Sequence, residues 1–182
     1  MPLLRRRKPL TVLVALLAGL AAVAGTCARG ESSPAVPHEP GTAVISRIVD
    51  GDTLRVRVGG RTEAVRLIGI DTPESVKPGT PVECFAKEAA ARLGELVPPG
   101  TQVRLERDVE ARDRYGRLLA YVFRRHDDLF VNVALARDGF ANVATYPPNV
   151  AYTSDFVAAV ADARRAERGL WGACPARGRS PP

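Results

Sequence analysis

Two acidic clusters fall where short apolar segments turn: Asp50-Gly51-Asp52-Thr53 and Asp71-Thr72-Pro73-Glu74. The second closes the stretch "RLIGIDTPE", Arg66–Glu74, in which an apolar run leads straight into carboxylates. Buried carboxylates are costly unless a cation meets them. Four acids at the ends of adjacent strands therefore repel one another unless a positive charge sits among them. Carboxylate and carbonyl oxygens are what a hard divalent ion such as calcium prefers, and the chain has no His/Cys cluster of the kind that zinc or copper selects. Arg66 lies beside these acids. A third cluster, "ARDRYGRLLAY" (111–121), supplies Asp113, Arg114, Tyr115 and Arg117 just before another apolar strand. A planar guanidinium grips phosphate through two parallel hydrogen bonds. Two arginines and a divalent ion would together stabilise the extra charge of a five-coordinate phosphorus, while a nearby carboxylate orients or deprotonates water. Taken singly, each cluster reads more simply as a turn with solvated charges: Asp-Gly is a hairpin signal, and "DRYGR" suits a loop with local ion pairs.

The elements that must position these residues are legible in the pattern. "AVISRIV" (43–49) and "LRVRV" (54–58) read as strands joined at Asp50-Gly51, with Leu54, Val56 and Val58 on one face and Arg55 and Arg57 on the other. Gly59-Gly60 turns the chain into a third strand, 62–70. Cys84–Val97 carries Phe85, Ala89, Leu93, Leu96 and Val97 at helical spacing and stops at Pro98-Pro99-Gly100. Strands follow at 102–107 and 118–124, then a short helix at 131–139 closed by Gly139. A last helix runs from Ser154, as its cap, to Arg168, with Phe156, Val157, Val160 and Ala163 inward. The fold class is therefore α+β, mainly β: a five-stranded OB-fold barrel with three helices.

The chain has 182 residues and a formal net charge of +6. Arg5, Arg6, Arg7 and Lys8 supply four of those positives, which leaves about +2 elsewhere, so bulk charge does not identify a polyanionic partner. The first 24 residues have the layout of an export signal: the basic "RRRK", the apolar run Leu10–Ala24 and an Ala22-Val23-Ala24 cleavage pattern. An uncleaved anchor is the competing reading, although the run is short for a span. "AGTC" before and at Cys27 faintly resembles a lipidation site, which Thr26 fits badly. Residues 25–41 read as a flexible linker, 42–174 as the folded domain and 175–182 as a disordered tail. His38, in the linker, carries no assignment. In an oxidising compartment Cys84 and Cys174 are candidates for a disulfide closing a 90-residue loop, the alternative being two free thiols.

Together "VDGDTLRVRV", "VRLIGIDTPE" and "DRYGRLLAYV", in this order and spacing, resemble the staphylococcal nuclease (thermonuclease) family, over about Ala43–Trp171. The resemblance implies an OB-fold barrel with three helices that hydrolyses DNA and RNA with calcium and leaves 3′-phosphate ends. Carried onto this chain, it implies Asp52 and Asp71 as calcium carboxylates, with the Thr72 carbonyl as a further ligand and Asp50 beside the metal site. Glu74 matches the residue that activates or orients water. Arg66 and Arg117 match the phosphate-binding pair, and Arg114 and Tyr115 fall where the family contacts a substrate phosphate. The family commonly has lysine at the position of Arg114. The type member carries two tyrosines after the helix corresponding to 131–139, whereas here Tyr146 stands alone and Thr145 takes the other place. The type member also lacks the cysteines. The loop "SVKPGTPVE" (75–83) has only Lys77 as a positive charge.

The expectation is thus an exported, monomeric, calcium-dependent nuclease acting on single-stranded DNA and RNA, with no stable protein partner implied. A catalytically silent OB-fold module that binds nucleic acid or protein has no need of the carboxylates. A calcium-stabilised surface protein has no need of both arginines.

Overall fold

The computed structural model describes residues 42–75, 79 and 81–174, all within the unit Pro37–Pro182. The segments read as export signal, linker and tail lie outside the described residues, as do Cys27, His38 and Lys77. Within the described residues no helix is long and apolar enough to cross a membrane.

Strands β1 (Thr42–Asp50), β2 (Thr53–Val58) and β3 (Arg61–Leu67) form an antiparallel meander. Gly59 and Gly60, both at positive φ, make the two-residue turn between β2 and β3 that the right-handed twist of the strands requires. β5 (Gln102–Glu106) pairs with β1, and β6 (Leu118–Arg124) pairs with β5. β3 then pairs parallel with β6, Val65 opposite Leu118 and Arg66 opposite Leu119, which closes five strands into a barrel. The alternation in β2 has the expected sense: Leu54 and Val56 are fully buried, while Arg57 is exposed. Ile45, Val65, Leu67, Val103 and Val122 complete the barrel interior.

The third strand does not run to residue 70. It ends at Leu67, and Gly69–Asp71 forms a separate strand, β4, that pairs with β8 (Asn142–Ala144) in a small second sheet. The break has a packing cause. Gly69 sits at φ +85°, and a Cβ there would lie 2.0 Å from the ring of Phe156. The chain can cross that ring only as glycine, and it changes direction as it crosses.

Among the described residues four helices are present rather than three. α1 (Ala86–Leu96) begins two residues later than expected because Phe85, at φ 72°, precedes it in the left-handed region and Cys84 is committed elsewhere. α2 (Val131–Arg137) follows the two-residue strand β7 (Leu129–Phe130). α3 (Thr153–Arg165) starts before Ser154, with Tyr152 rather than Ser154 at its N-cap, and ends three residues short of Arg168. Val157, expected inward, is 51% exposed, because the buried stripe of α3 is Phe156, Ala159, Val160 and Ala163. α4 (Leu170–Ala173) buries Leu170 and Trp171.

Asn132, fully buried on α2, supports the β3–β4 break. Its Oδ1 accepts from the Val122 N–H at 2.9 Å, and its Nδ2 donates to the carbonyls of Ile68 (2.9 Å) and Ala120 (3.3 Å). Asn132→Ala would remove the side-chain partner of the Val122 N–H and the Ile68 carbonyl, while the Ala120 carbonyl keeps the Ile68 N–H, at about 1–3 kcal/mol for each group left unsatisfied. The expected result is a loss of roughly 3 kcal/mol in urea unfolding, whereas an exposed polar-to-alanine change shifts stability by about 0.5 kcal/mol or less.

Candidate active site

Three turns meet at one edge of the barrel. The first is the β1–β2 hairpin, which carries Asp50 and Asp52. A Cβ on Gly51 would come within 2.6 Å of Thr72 Oγ1 and 2.8 Å of the Ala89 methyl, so glycine lets this hairpin pass tightly beneath the end of β4. Asp50 is fixed by the Gly51 N–H (2.9 Å) and the Ser75 hydroxyl (2.6 Å). Asp52 accepts from the Thr53 hydroxyl at 3.0 Å and from the Thr72 N–H at 3.2 Å. Its own carbonyl receives the Leu67 N–H, which ties the hairpin to the end of β3.

The second turn follows β4 and delivers Asp71, Thr72 and Glu74. Arg66 stands between the two turns. Its Nη2 lies 2.9 Å from Asp52 Oδ2 and 3.0 Å from Asp71 Oδ1, and its Nη1 donates to the carbonyls of Leu67 and Ile70. Burial pushes the Asp71 carboxyl above the usual carboxylate range. Arg66 opposes that shift, and the charges of Asp52, Glu83 and Glu74 add to it. Acids crowded in this way mark a place where further positive charge is favourable.

The third turn, before β6, brings Arg117. Asp113 holds it by a 2.6 Å contact to Nε and a 2.9 Å hydrogen bond from its backbone N–H, and its Nη1 lies 3.5 Å from Thr53 Oγ1. Burial works against the charged form of Asp113, but the hydrogen bonds from Arg117 and the Tyr115 N–H outweigh it and keep the carboxyl below its ordinary range.

Asp50, Asp52, Arg66, Asp71, Thr72, Glu74 and Arg117 all line one recess of about 340 Å³, together with Val49, Thr53 and Glu83. Arg114, Tyr115 and Tyr146 line an adjoining cavity of about 500 Å³ that shares Arg66 and Arg117. Tyr115 and Tyr146 are largely exposed, and the Arg114 guanidinium lies 4.8 Å from the Tyr115 ring centre, with Arg117 at 5.5 Å. Cationic groups beside open aromatic faces suit stacking against bases.

Several supporting residues escape a sequence reading. Glu83 clamps Glu74: its carboxylate accepts the Glu74 N–H at 2.9 Å, and its own N–H donates to the Glu74 carbonyl at 3.0 Å. Nothing in the loop's sequence sets Glu83 apart from an ordinary solvated acid. Cys84, next along, is bonded to Cys174, with Cα atoms 6.0 Å apart. That bridge closes 90 residues, worth about 4.6 kcal/mol on a chain-entropy account. Reduction is expected to lower the urea midpoint by a corresponding amount and to slow turnover, because the strap next to Glu74 loosens.

Asn149 and Asp108 join the two loops that flank the larger cavity. Asn149 exchanges two hydrogen bonds with the backbone of Glu110, at 2.8 and 3.1 Å. Asp108 accepts from the Ala151 N–H (3.0 Å) and the Tyr121 hydroxyl (2.9 Å). The Ala151 N–H is the chief cause of a lowered Asp108 pKa; burial opposes it, and Tyr121 and the Val109 N–H assist. A lowered folded-state pKa gives stability that is present above the unfolded value, near 3.9, and is lost as pH falls through the folded one. Asp108→Asn is therefore expected to reduce the urea midpoint at pH 7, with the gap from the unsubstituted chain narrowing as pH falls through the lowered pKa of Asp108.

Comparison with known proteins places this geometry in context. A family described as "Staphylococcal nuclease homologue" matches residues 64–173. A thermonuclease of Staphylococcus intermedius is 43% identical over 128 residues, covering 70% of this chain and 74% of that protein. A thermonuclease of Staphylococcus hyicus is 38% identical over 130 residues, covering 71% and 75%. Endonuclease YncB of Bacillus subtilis is 35% identical over 148 residues, covering 78% and 69%.

Proposed function

The chain belongs to the staphylococcal nuclease family, and from that membership we infer that it is a phosphodiester-hydrolysing nuclease, calcium-dependent, acting on single-stranded DNA and RNA and leaving 3′-phosphate ends. The observation that carries this reading is the shared recess: two guanidinium groups and five carboxylates, brought together from separate stretches of the chain, line one space of about 340 Å³.

The donor set fits calcium. Asp52 and Asp71 offer hard oxygens within reach of one cation, Arg66 Nη2, and with the Thr72 carbonyl that the family resemblance adds they would hold the ion. Among the described residues no group of three acids, histidines or cysteines could hold a metal by itself, so water and phosphate oxygens would have to complete the coordination. Thr72 Oγ1, buried and without a hydrogen-bond partner, marks the same corner as incompletely satisfied. When bound, calcium supplies Lewis-acid charge stabilisation at the phosphate.

The protein's own groups do the rest. Glu74 orients the attacking water and takes its proton. Arg66 exchanges a carboxylate contact for a phosphate oxygen once the charge of Asp52 and Asp71 is otherwise met. Arg117, aimed by Asp113, grips a second oxygen and assists the departing 5′-oxygen. Single strands are favoured because the scissile phosphate must reach a small recess while its neighbouring bases splay toward Tyr115 and Tyr146. The N-terminal segment directs export, and the chain works as a monomer outside the cytoplasm.

The test is hydrolysis of single-stranded DNA and of RNA by the purified chain. Turnover is expected with calcium, should stop on chelation and return when calcium is restored. Equal rates with and without chelator would refute the calcium assignment.

A further inference from the structure

The outer face of the β1–β2 hairpin carries three guanidinium groups that nothing in the fold uses. Arg47 on β1 is the register partner of Arg55 on β2, and Arg57 follows two residues along on the same face. Arg47 and Arg57 are exposed and Arg55 is half-buried. Among the described residues none of the three guanidinium groups has a hydrogen-bond or ion-pair partner. Several arginines elsewhere are matched: Arg92 with Asp138 at 2.7 Å, Arg104 with Glu106 at 2.7 Å, Arg112 with Glu63 at 3.0 Å and Arg124 with Asp127 at 2.6 Å.

Like charges directly opposed across a strand pair are destabilising. Protection of a sheet edge does not account for them, because β1 lies between β2 and β5, and β2 lies between β1 and β3. The placement points instead to a ligand that brings negative charge. Thr53, Arg55 and Arg57 alternate onto one face of β2, and the register partner of Thr53 is Arg66. Arg117 Nη1 reaches Thr53 Oγ1. The row thus begins at the two arginines of the recess and runs about 13 Å along β2, at about 3.3 Å per residue. Its two-residue step, about 7 Å, is comparable to the distance between successive phosphates of an extended nucleotide strand. Thr62 and Ala64 of β3 share this face, opposite Arg57 and Arg55. None of these five residues carries an aromatic ring on which a base could stack.

We propose that Arg47, Arg55 and Arg57 form a track for the sugar-phosphate backbone of a single strand whose scissile phosphate occupies the recess. The proposal rests on the nuclease reading and extends it. Contact is to phosphates alone, so the track is indifferent to sequence and to DNA against RNA, and its contribution grows with substrate length. Bases are met on the other side of the recess, at Tyr115 and Tyr146.

The experiment compares the full chain with the Arg47→Ala/Arg55→Ala/Arg57→Ala variant and with the corresponding triple lysine variant. Binding of a fluorescent single-stranded 20-mer is followed by anisotropy in the presence of chelator, across a range of salt. Release of three phosphate contacts is expected to flatten the slope of log affinity against log salt by about 2, at roughly 0.7 per contact, and to weaken binding about tenfold at moderate salt. The lysine variant should keep the slope. With calcium present, the loss in kcat/KM should be several-fold larger on the 20-mer than on a dinucleotide. The urea midpoint of the alanine variant should hold or rise, since like-charge repulsion is removed. An unchanged salt slope, or equal losses on long and short substrates, would overturn the track. If the unsubstituted chain hydrolysed no nucleic acid at all, the catalytic reading would fall, and the binding comparison would still decide the track.

Discussion

Arg117→Ala is expected to lower kcat on single-stranded DNA by about 10³-fold, the scale on which removal of a preorganised donor to transition-state charge is felt. Arg117 is more than a charge near the site. Asp113 fixes both its backbone and its Nε, which leaves the terminal nitrogens turned toward Thr53 and the recess. A group held in this way loses little freedom when the phosphate's charge rises, so its effect falls on turnover rather than on ground-state binding. The fold should tolerate the change. The Arg117 side chain is about a third exposed, and Asp113 keeps two backbone N–H donors without it, from Tyr115 and from residue 117. A urea midpoint shifted by about 1 kcal/mol or less beside a collapse in kcat would separate catalysis from stability. Arg117→Lys should recover only a small part of the rate, because an ammonium cannot reproduce the planar fork.

Glu74→Gln is expected to cost between about 10² and 10⁴ in kcat, the range for loss of a positioned proton acceptor. The substitution keeps size and shape. The two hydrogen bonds between residue 74 and Glu83 involve the backbone of residue 74 and so survive it. Substrate affinity should hold or tighten slightly, since a negative charge beside a phosphate is removed. Glu83→Ala offers a graded comparison. It leaves the Glu74 carboxylate in place but removes half of the clamp, and is expected to lower kcat by about tenfold with little change in KM, the signature of a positioning residue.

The sequence makes one kind of information legible and hides another. Asp50, Asp52, Asp71, Glu74, Arg66 and Arg117 stand out because each belongs to a short motif at a turn, and turn chemistry is local. Leu54, Val56 and Val58 declare their face by alternation for the same reason. The break after Leu67 is hidden, because it depends on the ring of Phe156, far along the chain, lying where Gly69 must pass. The small elements β7, β8 and α4 are hidden as well. β8 exists only because β4, freed by that break, offers a partner, and α4 is a single turn. Val157 was misplaced because the apolar stripe of α3 is set by Phe156 and Val160 against the barrel, and a neighbouring valine on an alanine-rich helix gives no separate signal. Asn132 had a faint one: a lone amide inside the apolar run "FVNVALA". The Cys84–Cys174 pair is a candidate only if the chain meets an oxidising compartment, and the structure joins it.

The central claim is that carboxylates and guanidinium groups from separate turns act on one phosphodiester. The measurement that tests it most directly is kcat for Glu74→Gln, Arg117→Ala and the double variant on one single-stranded substrate. Groups that serve a single transition state lose their effects together, so the double variant should be only modestly slower than the worse single one. Losses that multiplied in full, or a single variant that kept the unsubstituted rate, would contradict the account.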